Sequence, residues 1–227
     1  MDGLILGLDL CDGYTQLSCW GREENWTLPT AVCRQKDGGW LIGETAYATA
    51  LAGEGSVTDK LIRLVLQDGS DTIYGVKYRA VDLLKCFLEQ VFSLPLEEGK
   101  TVDGSMVKEL VITVPKMKAR LMDGLMYCAD QLKIPRSHVH VISHTEAFMY
   151  FVLSQTRDVW SNHVGLFDLS EKCLCYYEMK VQKNMGQVTA VAEREKLEEG
   201  FALDILSAPQ GVKLADKILC SCGERLL

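Results

Sequence analysis

The chain has 227 residues, of which 48% are hydrophobic and 24% are charged, and its formal net charge at pH 7 is −7. A chain of this length can bury a core, in one large domain or two small ones. The acidic balance, with scattered basic residues, argues against a nucleic-acid surface and an anionic membrane as partners. No apolar run approaches the roughly 20 residues of a membrane-spanning helix. The first residues have no basic n-region and no small-residue cleavage site, so we expect no secretory signal.

The first predicted elements are two strands around an aspartate and a tight turn. An apolar strand runs from residue 4 into Asp9 and Leu10, then Asp12-Gly13 precedes a second strand at 16–20. Asp-Gly between apolar strands indicates a hairpin, because Gly permits the positive φ that a tight turn needs. The pattern recurs at 164–175, with Asp168 in the place of Asp9. Two such units predict two loops that face one ligand, with Asp9 and Asp168 close together.

Between these units, the pattern predicts a mixture of strands and helices. A β meander occupies residues 1–30, and an amphipathic helix at 79–92 shows Val81, Leu84 and Leu88 at helical spacing. The other elements predicted up to residue 66 are strands at 29–33 and 40–43, a helix at 44–51 and a short apolar segment at 60–66.

The second half of the chain continues the alternation. Residues 109–114 are apolar and β-branched, which predicts a buried strand. We expect Pro115 to open the next helix, at 116–132, because its missing N–H costs nothing there. Ser143-x-x-Glu146 is a capping-box pattern. The remaining predictions are strands at 138–142, 164–169, 174–181 and 188–192, and helices at 147–153, 201–206 and 212–220.

The nine cysteines do not form a compact framework, and their number is odd. We therefore predict reduced thiols and a cytoplasmic location. The pairs Cys173/Cys175 and Cys220/Cys222 have C-x-C spacing, which differs from the C-x-x-C of zinc knuckles. Residues i and i+2 of a strand share a face, so the first pair also fits a core. We expect no structural zinc.

Several segments are similar to the Hsp70 nucleotide-binding domain, in the family's order and near its spacing. They are Leu28-Pro29-Thr30-Ala31-Val32 for I-P-S-x-V, 40–46 for V-G-x-x-A, 58–64 for a Lys before R-L-I-G, Val111-Ile112-Thr113-Val114-Pro115 for V-I-T-V-P, 143–147 for N-E-P-T-A, 166–169 for V-x-D-L and 200–204 for G-G-E-D-F-D. Over residues 3–206 the chain resembles the actin/Hsp70 (ASKHA) ATPase superfamily, and most closely the first lobe of Hsp70.

The resemblance implies an α/β fold. It implies a ribonuclease-H-like (actin-like ATPase) lobe with a mixed five-stranded sheet flanked by helices, and a small inserted α+β subdomain. The core would comprise residues 1–30 and 105–192, and the insert residues 31–104. Residues 193–227 would begin a second lobe that is truncated.

The resemblance also implies a site for ATP or ADP with Mg²⁺. Asp9 and Asp168 match the carboxylates that hold the metal through water and serve catalysis. The residues that would contact phosphates are Asp12, Gly13 and Tyr14 in the first loop, Ser170, Glu171 and Lys172 in the second loop, and Lys60. The acidic position of N-E-P-T falls on His144, unless a two-residue slip lets Glu146 serve as a catalytic base.

Both loops depart from the family pattern. The first offers Cys11-Asp12-Gly13 instead of Gly-Thr-Thr, and the second Ser170-Glu171-Lys172-Cys173 instead of Gly-Gly-Gly-Thr. A carboxylate about 4 Å from a phosphate charge is repelled by roughly 4 kcal/mol at an effective dielectric constant of about 20. Asp12 and Glu171 would each add such repulsion, so we expect weak nucleotide binding and slow hydrolysis.

Local structural roles stay open for the same residues. Asp12-Gly13 fits a plain turn, Glu146 a capping residue and Lys60 a solvated helix face. For function, the first hypothesis is a degenerate ATPase that acts as a binding or scaffold module for an unidentified protein partner. The alternatives are an active Mg-ATP-dependent chaperone-like ATPase, an actin-like filament or cell-morphogenesis protein that self-associates, and, least supported, a sugar kinase.

Overall fold

The computed structural model of the chain describes residues 3–155, 163–169, 173–184, 187–199 and 217–220. The chain divides into two compact units, Met1–Ser143 and His144–Leu227. The elements of the first unit are β1 (Leu4–Leu10), β2 (Tyr14–Cys19), β3 (Asn25–Pro29), β4 (Ala31–Gln35), β5 (Trp40–Ile42), α1 (Gly43–Leu51), β6 (Gly55–Asp59), α2 (Leu61–Leu66), β7 (Ser70–Ile73), β8 (Val76–Arg79), α3 (Ala80–Val91), β9 (Val107–Val114), α4 (Ala119–Gln131) and β10 (Val139–Ser143).

The first unit is built on a mixed five-stranded sheet. Its order is β3-β2-β1-β9-β10. The meander β1-β2-β3 is antiparallel, whereas β9 lies parallel to β1 and β10 lies parallel to β9. The protein is thus an α/β protein with a mixed five-stranded sheet flanked by helices, as predicted.

The sheet buries one face. In β1 the alternate residues Leu6, Leu8 and Leu10 are buried, while Gly7 and Asp9 between them are half-buried. This alternation follows from the two-residue period of a strand. The buried face shares one hydrophobic core with α2, α3 and α4, and the opposite face carries Asp9 and its neighbours.

The predicted insert packs into the same core. Residues of α2 and α3 belong to the cluster that contains β1 and β9. A three-stranded sheet, β5-β4-β6, and the β7-β8 hairpin complete this region. Helix α3 shows the predicted apolar stripe, with Leu84 and Leu88 fully buried beside Phe87.

The second unit contains a four-stranded sheet of its own. Its elements are α5 (His144–Ser154), β11 (His163–Leu169), β12 (Cys173–Asn184), β13 (Gln187–Glu199) and β14 (Lys217–Cys220). The sheet order is β13-β12-β11-β14, with β11-β12-β13 antiparallel and β14 parallel to β11. The predicted domain bounds, with a core of residues 1–30 and 105–192, an insert of residues 31–104 and a second lobe from residue 193, stay a prediction.

Two predicted elements differ from the structure, and one hairpin was not predicted. Pro115 does not open a helix, because four residues carry the chain from β9 to α4, whose N-cap is Lys118. The end of the helix predicted at 212–220 is wrong, because residues 217–220 pair with β11 as a strand. The β7-β8 hairpin was not predicted, because its turn has Tyr74-Gly75 where a typical signal has Asn-Gly.

The helix predicted at 201–206 lies outside the described residues. In the part of the chain that the structure describes, none of the helices combines the length and the apolar character that crossing a bilayer requires.

Candidate functional site

Asp9 lies near the carboxyl end of β1, on the face opposite the helices. The strand register places Gln16 on one side of it and Thr113 on the other. The Thr113 hydroxyl donates a hydrogen bond of 2.9 Å to Oδ1 of Asp9. The carboxylate is therefore oriented by a neighbouring parallel strand.

The first loop, residues 11–13, is anchored by two buried threonines. The Thr30 hydroxyl donates to the carbonyl oxygen of Cys11 at 2.7 Å, and the Thr30 N–H donates to the carbonyl of Gly13 at 3.0 Å. The hydroxyls of Thr15 and Thr30 are also 2.7 Å apart. Cys11 and Gly13, the two ends of the loop, are therefore both hydrogen-bonded to Thr30, the residue before β4.

Asp12 contacts a helix rather than standing free in the loop. Its Oδ1 accepts the backbone N–H of Arg63 at 3.1 Å. Arg63 is the third residue of α2, a position whose N–H has no partner within the helix. The N-cap, Lys60, provides no side-chain hydrogen bond. Asp12 therefore performs the capping role from 51 residues away in the chain.

Lys60 takes a left-handed conformation, with φ of 54°, between β6 and α2. The preceding Asp59 accepts a hydrogen bond of 3.3 Å from the hydroxyl of Tyr47. Burial, followed by the charge of Asp59, raises the pKa of Tyr47. Lys60 and Tyr14, both predicted as phosphate contacts, are exposed.

A cavity of about 390 Å³ lies on the Asp9 face of the sheet. At Gly7 an added Cβ would come within 2.7 Å of the Ser18 hydroxyl, so glycine leaves room for that hydroxyl on this face of the sheet. Among the described residues that line the cavity, Asp9 alone is charged, and none of them supplies a cation for phosphate oxygens. The lining residues are Gly7, Leu8, Asp9, Gln16, Leu17, Ser18, Asn25, Thr27, Val111 and Thr113.

Among the described residues around Asp9, the Asp12 carboxylate accepts the N–H of Arg63, and the cavity offers a carboxylate, hydroxyls and amides. The predicted site for ATP or ADP with Mg²⁺ stays a prediction. The Asp9 carboxylate with the hydroxyl of Thr113 fits a cation or a neutral polar group better than it fits phosphate.

The second hairpin repeats the register of the first. Asp168 pairs with Cys175 and Leu169 with Leu174, as Asp9 pairs with Gln16 and Leu10 with Thr15. In both hairpins the aspartate therefore pairs with the residue seven positions later. Ser170, Glu171 and Lys172 lie outside the described residues, and the predicted meeting of Asp9 with Asp168 stays a prediction.

Glu146, the predicted base, lies in the first turn of α5. Its Oε1 accepts a long hydrogen bond of 3.5 Å from the hydroxyl of Tyr150, four residues later. The capping box with Ser143 and the catalytic role of Glu146 both stay predictions.

Sequence comparison places the chain in a family without assigning an activity. The model described as "Family of unknown function (DUF5716) C-terminal" matches residues 13–227. The chain belongs to this family. A comparison with curated proteins gives no significant match. The family match begins within the first loop and therefore includes Gly13, Thr30, Arg63 and Thr113.

The sequence prediction missed the residues that bond Asp9, Asp12 and the backbone of the first loop. Thr113 lies in the V-I-T-V-P segment and was assigned only to a buried strand. Thr30 and Arg63 carried no signal of their own. The one available hint was a threonine on the half-buried face of an apolar strand, where a hydroxyl needs a partner.

Proposed function

We propose that this member of the family is an Hsp70/actin-like nucleotide-binding-domain protein with a degenerate site, which works in the cytoplasm as a binding or scaffold module. The proposal combines the sequence resemblance with the strand order and with the contacts of the first loop. It treats hydrolysis of ATP as lost or very slow.

The strand order supports the fold assignment in this proposal. An antiparallel meander of three strands followed by two parallel strands is the arrangement of a ribonuclease-H-like sheet. The sheet of the second unit resembles four strands of the first sheet. Its order β13-β12-β11-β14 has the same relative strand directions as the order β3-β2-β1-β9. The second sheet thus shares the strand arrangement that the resemblance implies for a ribonuclease-H-like sheet.

The contact between Asp12 and α2 is the main observation that supports a degenerate nucleotide site. A phosphate loop needs backbone N–H groups that converge on an anion. Here a side-chain carboxylate accepts the N–H of Arg63. A phosphate at this position would displace Asp12 and meet its charge.

The cysteines support the cytoplasmic part of the proposal. Among the described residues, Cys19, Cys33, Cys86 and Cys128 are free cysteines. Free thiols are typical of a reducing compartment.

Thermal melting of the full-length protein with and without millimolar Mg-ATP tests the proposal. A ligand at 100 times its Kd stabilises a protein by about 2.7 kcal/mol, which is several degrees for a protein of this size. We expect a shift below about 1 °C. A larger shift that requires Mg²⁺, together with phosphate release, would instead establish the active chaperone-like ATPase.

The variant Asp12→Gly sharpens this experiment, because it restores a glycine and removes the carboxylate from α2. A gain of nucleotide-dependent stabilisation in this variant would show that Asp12 blocks the site. The matched control is Asp37→Gly, which removes a carboxylate that accepts the nearby N–H of Gly39. Filament formation is checked by pelleting with nucleotide, where the scaffold proposal expects no change.

A further inference from the structure

Strand β13 is the longest strand that the structure describes, and it lies at the edge of the second sheet. It spans 13 residues and pairs with β12 in the order β13-β12-β11-β14. An average strand has about 5–6 residues, and a long edge is a template for pairing with another chain. In the part of the chain that the structure describes, no strand pairs with the outer edge of β13.

Two of the features that commonly protect an edge strand are missing from most of β13. The sequence of residues 187–199 contains neither proline nor glycine. The pairing with β12 is regular from Gln187 to Lys196, and its register shifts only beyond Lys196. Natural sheets blunt their edges with proline, bulges or charges. Over its regular part, β13 has only charges.

These charges alternate in sign in a self-complementary order. The segment is Glu193-Arg194-Glu195-Lys196. When two such segments lie antiparallel, one register places Arg194 opposite Glu195 of the second copy and Glu193 opposite Lys196 of the second copy. Two-fold symmetry repeats both pairs, so every charge of the segment has an opposite charge across from it. A run of charges of one sign would instead repel a second copy.

The register within the sheet provides no such complement. Glu193 pairs with Glu178 of β12, and like charges directly opposite on neighbouring strands are destabilising. The next three positions of β13 pair with residue types that are not acidic or basic, namely Arg194 with Tyr177, Glu195 with Tyr176 and Lys196 with Cys175. Opposite charges along the outer edge would therefore stabilise β13 where β12 does not.

We infer that the outer edge of β13 is a dimerisation surface, which pairs antiparallel with β13 of a second copy of this chain. Main-chain hydrogen bonds between the two edges provide affinity, as in other cases of strand addition. The charged segment sets the register, in which Arg194 lies opposite Glu195 of the second copy. The two-fold axis closes this interface, so it gives a dimer and no filament. The inference stands whether or not the protein binds nucleotide.

Sedimentation equilibrium of the full-length protein over a concentration series tests the inference. We expect a monomer–dimer equilibrium whose upper limit is twice the mass of one chain. Arg194→Glu turns two attractive pairs of the dimer into two repulsive ones, so it should weaken dimerisation by roughly tenfold or more. Lys77→Glu, at an exposed strand position of the first unit, is the matched control and should dimerise like the wild type. A wild-type mass of one chain at every concentration overturns the inference.

A charge swap separates pairing between copies from an effect on the fold. The double variant with Arg194→Glu and Glu195→Arg restores opposite charges in the proposed register, so it should dimerise like the wild type. Damage to the sheet itself would not be repaired by this swap, because both positions pair with tyrosines of β12. Thermal melting checks that each variant is folded. A dimer that Arg194→Glu leaves intact, or a folded double variant that stays monomeric, overturns the inference.

Discussion

The carboxylate of Asp9 is held by a side chain 104 residues away in the chain. Thr113 reaches it because β9 lies parallel to β1 in the register that pairs these two residues. The sequence predicted Asp9 as a site residue from the strand and turn around it. The partner could not be predicted, because neither residue's neighbourhood specifies the pairing of β1 with β9.

Replacing Thr113 with valine tests this contact. The variant Thr113→Val keeps the β-branched shape but leaves Asp9 without that donor, so we expect a loss of about 1–2 kcal/mol in the free energy of unfolding. Urea denaturation measures it. Thr27→Val, an exposed threonine on the same face, is the control and should be nearly neutral. Equal effects of the two variants would mean that the hydrogen bond is not stabilising.

Asp12 shows the same limit of sequence reasoning at a single residue. Its place before a glycine predicted a turn or a loop that repels phosphate. The structure gives it a third role, the cap of α2, which depends on where α2 packs. Local pattern located the residue, and tertiary packing selected its partner.

At the scale of elements, a polar cluster joins α3 to α4. The Arg79 guanidinium donates to both carboxylate oxygens of Asp82, each at 2.8 Å, and to the Tyr127 hydroxyl at 2.8 Å. Tyr127 in turn donates to Asp82 at 3.0 Å. The hydrogen bond from Arg79 is the main reason that the pKa of Asp82 lies below its ordinary value, and Tyr127 adds to it against the effect of burial.

This lowered pKa predicts how the cluster responds to acid. Because the folded state holds Asp82 ionised more strongly than the unfolded state does, its contribution is present above the ordinary pKa of about 4 and is lost as the pH falls through the lower folded value. We expect Asp82→Asn to be less stable than the wild type at pH 7. The difference should shrink as the pH falls from about 5 to 2, as measured by urea midpoints.

Glu97→Gln is the control for this pH series. Glu97 pairs with Lys100 on the surface and its side chain is 82% exposed. Such pairs contribute little, so this variant should follow the wild type at every pH. A constant difference for Asp82→Asn across the series would contradict the assignment to Asp82 ionisation.

Elements with strong periodicity were predicted well, and elements that depend on pairing were not. The apolar spacing in α3 and the β-branched run of β9 gave both elements to within about two residues. The strand β14 was predicted as helix, because four apolar-rich residues carry no decisive period and their partner β11 decides the conformation. The hairpin β7-β8 was missed because its turn uses an uncommon residue.

For the whole molecule, the first unit contains a complete core of its own. The buried cluster extends from Leu6 to Val139 and includes both the five-stranded sheet and helices α2–α4. Residues of the predicted insert belong to this cluster, so residues 1–143 share one hydrophobic core. A unit of this size with its own core is expected to fold alone.

We therefore expect a fragment of residues 1–143 to unfold in a single cooperative transition. Urea titration followed by both far-UV and near-UV circular dichroism measures this, and the two signals should coincide. The full-length protein is the reference for the near-UV signal. A fragment that keeps its far-UV signal, loses its near-UV signal and binds a hydrophobic dye would contradict the prediction.

The sequence by itself determined the α/β class, the two aspartate hairpins and the apolar stripe of α3, because these follow from short-range period and turn chemistry. Only the tertiary structure decided the strand order, the partners of Asp9 and Asp12, and the division at Ser143. The contacts of Asp9 and Asp12 join residues 104 and 51 positions apart. The energy of such contacts arises from packing and register, which no local stretch of sequence encodes alone.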